Sequence, residues 1–155
     1  MTTDAATQQV YWEDVKEGQE IPALHKNPTS QQLVQWAAGS GDFYQIHYDQ
    51  DFARGTGLKG IIIHGALKHA FLGQMLHEWV RYDGRIKRYA VSYRGMDVPG
   101  EEMTCRGVVT RTYLDGPDGP NSNEGLVDLE IWTENPQGQK TTPGTATVVL
   151  PRRGR

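Results

Sequence analysis

The stretch that most constrains this chain is Ile61 to Val80. Ile61-Ile62-Ile63 runs into Gly65, and then Ala66, Leu67, Ala70, Phe71, Met75, Leu76, Trp79 and Val80 follow at steps of one, three and four. That is a helix with a wide apolar stripe. The pattern predicts a long central helix over 64–80, about 25 Å at 1.5 Å per residue, stopping at Asp83-Gly84. Such a helix needs cover on most of its surface, and the rest of the chain can supply it. Segments 85–94, 102–113, 125–134 and 141–150 are alternating and β-branched, with turns where Gly and Pro fall at Val98-Pro99-Gly100, 115–125 and Asn135-Pro136-Gln137-Gly138. Three or four antiparallel strands after one long helix predict an α+β domain whose sheet wraps that helix.

The front of the chain is more irregular. Residues 1–9 are polar and read as a flexible N-terminus, 10–20 as an ordered lead-in with an early strand near 19–25. Thr29-Ser30 is a helix cap, and Leu33, Val34, Trp36 and Ala37 stand at helical spacing up to Gly39, which predicts a first helix over about 30–38. Asp49 to Arg54 reads as one or two further helical turns. One domain over 10–150 with a basic tail at 151–155 is what 155 residues accommodate, and the loop 115–125, rich in Gly and Pro, reads as its mobile connection.

Several partners are disfavoured at once. The apolar stretch Leu58–Leu76 is broken by Lys59, His64, Lys68, His69 and Gln74, so nothing reads as a membrane span. Met1-Thr2-Thr3-Asp4 lacks the parts of a secretory signal, and Cys105 is the single cysteine, which gives a reducing, cytoplasmic location as the expectation. Lys and Arg number 16 against 19 acids, a net charge of −3, and three of the arginines (Arg152, Arg153, Arg155) crowd the tail, so the body is acidic and nucleic acid is disfavoured.

Familiar motifs fail on context. Gly55-Thr56-Gly57-Leu58-Lys59-Gly60 has the glycine spacing of a dinucleotide loop but no strand before it and no βαβ repeat, so it reads as turn chemistry. His77-Glu78 begins a zincin-like pattern whose second histidine position is Arg81, and no metal site is expected. Cys105, in an alternating strand, reads as buried and inert. Lys59, Lys68, Lys87, Arg88 and Arg94 are cations that could meet phosphate, though each reads first as a solvated side chain.

The segment Ser40 to Asp49 differs. Asp42 and His47 stand five residues apart on an irregular connection, and His64-Gly65 follows at the start of the most apolar helix. A carboxylate and a neutral imidazole converging on one water can hold it and move its protons. Unpaired amides at a helix entrance stabilise an oxygen that gains negative charge, and Gly65 lets a carbonyl approach closely. Ordinary structure accounts for the same spacing: Asp42 as a turn cap, His47 as a core histidine on a backbone carbonyl, His64 as a helix cap.

Ser40-Gly41-Asp42-x-x-x-Ile46-His47-x-Asp49, Ala53, Gly57 and Ile63-His64-Gly65-Ala66 resemble the signature of the MaoC-like dehydratases and (R)-specific enoyl-CoA hydratases. Tyr11–Gly18, Thr29–Ala38 and Val98-Pro99-Gly100-Glu101 resemble the same family's lead-in, first helix and inter-strand turn, so the likeness covers nearly the whole chain. It implies a single hot-dog fold, an antiparallel sheet curled around one long helix, pairing as a homodimer or higher homo-oligomer. By position it implies Asp42 and His47 as the groups that activate a water for addition to the β carbon of a trans-2-enoyl thioester. The Gly65 amide becomes the oxyanion donor on the same likeness, with coenzyme A or an acyl carrier protein as the thiol carrier and no cofactor.

One departure stands out. Family members commonly carry Asn-Pro where this chain has Tyr44-Gln45. A lost proline loosens the turn, and the tyrosine ring must either leave the pocket or intrude on it, where its hydroxyl could bond a polar group of a short acyl chain. Two other functions compete with the hydratase: a non-catalytic subunit that shapes the acyl tunnel of a heteromeric dehydratase, and a hot-dog thioesterase. The thioesterase needs a carboxylate near the central helix, and Glu78, the only acid in 64–80, lies far from its start.

Overall fold

The computed structural model describes residues 8–115 and 124–154. In chain order the strands are β1 (Leu24–Lys26), β2 (Arg85–Val91), β3 (Met103–Asp115), β4 (Glu124–Glu134) and β5 (Lys140–Leu150). The helices are α1 (Ser30–Ser40), α2 (Gln50–Gly55) and α3 (Gly65–Val80), with short 3-10 turns at Trp12–Asp14 and Gln45–His47. The strands form one antiparallel sheet in the order β1-β3-β4-β5-β2. Irregular register between Ile86 and Arg88, Val109 and Arg111, and Thr133 and Glu134 interrupts the ladders, the kind of break that bends strands and lets a sheet curl.

The curled sheet holds α3. Leu67, Phe71, Leu72, Met75, Leu76, Trp79 and Val80 are buried along it and pack with Met103, Cys105, Val109, Val127, Leu129, Ile131, Ala146 and Val148 of the strands. The apolar period read from sequence is therefore the face the sheet covers. Burial pushes the Cys105 thiol up to about 12, so it stays protonated and inert as expected.

Boundaries shift for local reasons. The early strand shrinks to β1, with Glu20 contributing only an isolated bridge to Val108, because Pro22 between them has no amide to donate. α1 begins where Thr29 caps it, its side chain accepting from the Gln32 amide at 3.2 Å. It outlasts Gly39 because the left-handed residue that ends it is Gly41 (φ 78°). The pattern over 85–94 leaves the ladder after Val91. From there Ser92 bonds the Pro143 carbonyl, and Arg94 and Gly95 both bond that of Thr141, so 92–97 becomes a strap laid along β5. Of the 115–125 connection, residues 116–123 lie outside the described residues, as do 1–7 and Arg155. The basic tail is docked: Arg153 pairs with Asp14 at 2.6 Å, Arg152 with Glu13 at 3.2 Å, and the Trp12 amide bonds the Pro151 carbonyl. Among the described residues no helix is long and apolar enough to cross a membrane.

Candidate active site

The Gly55–Gly60 run lies across the end of α2, with Gly57 at φ 92°. It is a helix terminus and not a strand-to-helix phosphate loop. The chemistry gathers between α1 and α3 instead. After α1 ends at Gly41, the Ser40 hydroxyl accepts the Asp42 amide at 3.2 Å, and an Asp42 carboxylate oxygen accepts the Tyr44 amide at 3.3 Å. The 3-10 turn Gln45–His47 then forms without a proline, since the His47 amide bonds the Tyr44 carbonyl and the Asp49 amide that of Gln45. Gln45 takes the first helical position, where the amide has no partner within the turn and proline therefore gives up no hydrogen bond. Asp49 caps α2 through the Phe52 amide at 2.9 Å.

These turns bring the expected residues together. One carboxylate oxygen of Asp42 and one ring nitrogen each of His47 and His64 lie within 4.8 Å of one another. His47 Nδ1 donates to the Ile62 carbonyl at 2.8 Å. A carbonyl only accepts, so this bond leaves Nε2 of the neutral ring with a free lone pair. His64 Nε2 donates to the Asp42 carbonyl at 3.2 Å, and His64 makes no side-chain cap for α3, which replaces the capping expectation. The two rings stack at 3.8 Å with 20° between their planes. Burial first, and the neighbouring His47 second, hold His64 below the ordinary histidine range, so it is neutral at pH 7.

Beside His47 opens a cavity of about 260 Å³ lined by His47, Ile62, Gly65, Lys68, Tyr93 and Met96 among others. Gly65 is the first residue of α3, so its amide has no acceptor within the helix and lies at the positive end of the dipole. A Cβ on Gly65 would stand 3.0 Å from three carbons of the Tyr93 ring, tighter than ordinary van der Waals contact between helix and strap. Tyr44 is half-exposed, meets His47 edge-on at 6.4 Å and Phe52 at 6.0 Å, and does not line that cavity. Its ring takes the outward alternative.

Residues 8–116 match the MaoC like domain, well over half of the chain. The chain belongs to the MaoC-like dehydratase family. Among individual relatives of this MaoC-like chain, an (R)-specific enoyl-CoA hydratase of Rhodospirillum rubrum is 28% identical over 145 residues, covering 93% of this chain and 94% of that protein. The fatty acid synthase beta subunit TOXC of Cochliobolus carbonum is 33% identical over 73 residues, which are 46% of this chain and 4% of that subunit's length. The fold matches the solved (R)-hydratase from A. caviae involved in PHA biosynthesis, with TM-score 0.78 and 24% identity over 90% of this chain and 99% of that one. The MaoC-like chain thus has the hot-dog architecture, a five-stranded antiparallel sheet curled on a central helix.

Sequence reasoning singled out Asp42, His47 and Gly65; His47 and Gly65 line the cavity, and Asp42 meets His47 and His64 beside it. The same reasoning missed the opposite wall. Lys68, read as a solvated cation, is 2% exposed and paired with Asp97 at 2.7 Å. Its position on the apolar stripe of α3, one turn after Gly65, was the available signal. Tyr93 and Asp97 had none, because the strap that carries them follows no periodic pattern.

Proposed function

We propose that this MaoC-like protein is an (R)-specific enoyl-CoA hydratase or 3-hydroxyacyl-thioester dehydratase, adding water reversibly to a trans-2-enoyl thioester. The observation that carries the reading is the 4.8 Å spread of the Asp42, His47 and His64 atoms. Two hydrogen bonds of about 2.8 Å end to end exceed that span, so a water between the Asp42 carboxylate and the His47 ring is within hydrogen-bond reach of both. Asp42 and His47 take a proton from this water as its oxygen bonds the β carbon, and return a proton to the α carbon. The thioester carbonyl, enolate-like in between, faces the Gly65 amide. Dehydration runs the same steps backwards. His64 is neutral and adds no competing positive charge beside His47.

The cavity beside Gly65 accepts the acyl portion, with coenzyme A or an acyl carrier protein outside it. Phe43, Tyr44, Tyr48 and Phe52 form an exposed aromatic group next to the site, and β1 and β2 are the outer strands of the sheet. Both features support a homodimer that covers them. A cytoplasmic location accords with the single buried cysteine. The thioesterase alternative loses support, since Glu78 lines a different cavity, near the other end of α3, together with Met75 and Trp79.

The test is direct. Purified protein is incubated with crotonyl-CoA and longer trans-2-enoyl-CoAs while conjugated-enoyl absorbance and free thiol are followed together. Loss of absorbance without thiol is the expected result. Thiol release identifies a thioesterase, and absence of both identifies a non-catalytic subunit; either sinks the proposal.

A further inference from the structure

A lysine and an aspartate are buried together at the entrance of α3, where apolar side chains of similar volume would pack at least as stably. Lys68 Nζ donates to Asp97 Oδ2 at 2.7 Å and to the Gly95 carbonyl at 2.8 Å. The Thr141 hydroxyl donates to the same Asp97 oxygen at 2.7 Å, and a further hydroxyl pair links Thr141 to Thr133 at 2.8 Å. The Asp97 carbonyl accepts the Ile63 amide at 2.8 Å.

These bonds bracket one residue. Ile63 lies two positions before Gly65 and Lys68 three after, and both are tied to Asp97. The strap ending at Asp97 is itself pinned to β5 through the Thr141 carbonyl, and its Tyr93 ring lies over the Gly65 Cα. With the strap clamped on both sides, the helix entrance cannot shift along its axis without breaking buried charge-assisted bonds.

We propose that the Lys68–Asp97 pair is a positioning device that fixes the 93–97 strap to the entrance of α3 and so sets where the Gly65 amide stands relative to His47. The inference rests on the hydratase reading above. Neither residue touches the reacting atoms; both act through the place they give to the Gly65 amide and the Tyr93 ring. Displacing an oxyanion donor by about 1 Å costs on the order of 100-fold in rate, so a clamp here affects turnover more than binding.

The experiment uses 4-dimethylaminocinnamoyl-CoA, a chromophore whose absorption moves to longer wavelength when its thioester carbonyl is polarised. Bound to the unsubstituted protein it shows that shift. In Lys68→Met/Asp97→Leu, which removes both charges together and leaves neither unpaired, the shift falls to half or less. Its kcat on crotonyl-CoA drops about 10- to 100-fold while KM stays within about three-fold. Lys68→Met/Asp97→Asn keeps the side-chain shape and an acceptor for Thr141, likewise leaves no buried charge unpaired, and carries the same expectation should the first double replacement not fold. Unchanged shift and kcat in a folded variant overturn the clamp. No shift in the unsubstituted protein overturns the Gly65 reading itself, and the clamp with it.

Discussion

The imidazole of His64 lies against that of His47, with ring centroids 3.8 Å apart, and donates to the backbone carbonyl of the same Asp42 whose carboxylate shares the site. One buried ring therefore supports both groups proposed to hold the water. Its Nδ1 has no partner among the described residues, so a proton added there would be both desolvated and beside a second imidazole.

This has a pH consequence. Because the folded-state value of His64 is depressed below the ordinary 6.5, the unfolded chain binds the proton more readily. The contribution of neutral His64 is fully present above 6.5 and is lost as pH falls through the lower folded value. Tm measured from pH ~8 down to ~5 should fall more steeply for the native chain than for His64→Asn. Parallel curves would contradict the assignment of His64 as the neutral partner.

Asp42→Asn should retain the turn, since the amide oxygen still accepts from Tyr44, yet lose the negative charge. Hydration of crotonyl-CoA is expected to fall by at least about 100-fold, with Tm nearly unchanged at so exposed a position. His47→Ala should lose as much activity. It also costs about 1–3 kcal/mol of stability, because the Ile62 carbonyl loses its donor. Full turnover in either folded variant rules out the shared water.

At Gly65, an added methyl meets the Tyr93 ring at 3.0 Å. Gly65→Ala is expected to cost about 1–3 kcal/mol by overpacking and to lower kcat, because the same methyl blocks the approach of the thioester carbonyl. Adding Tyr93→Ala relieves the contact and restores Tm but not kcat. Recovery of both in the double variant would place the oxyanion donor elsewhere.

Tyr44 does not line the cavity beside Gly65, so its hydroxyl is expected to take no part in selecting among acyl chains. Tyr44→Asn should give the native profile of rates across trans-2-enoyl-CoAs of increasing length. A changed profile would bring the ring into the pocket.

Local rules made much of this protein readable. The apolar stripe of 64–80, the Thr29 cap and the alternating strands depend on side-chain period and backbone chemistry that neighbours in sequence already carry. The nearness of Asp42 to His47, and of His47 to Gly65, was legible because these residues sit within two short segments next to a helix start. The rest depends on distant contacts. Lys68 looks like any surface lysine until Asp97, 29 residues later, is folded against it. The stacking of His64 under His47 and the outward turn of Tyr44 were equally out of reach. A buried ion pair, a stacked ring and a strap leave no periodic trace, because their energy comes from desolvation and close packing between elements that only the closed sheet brings together.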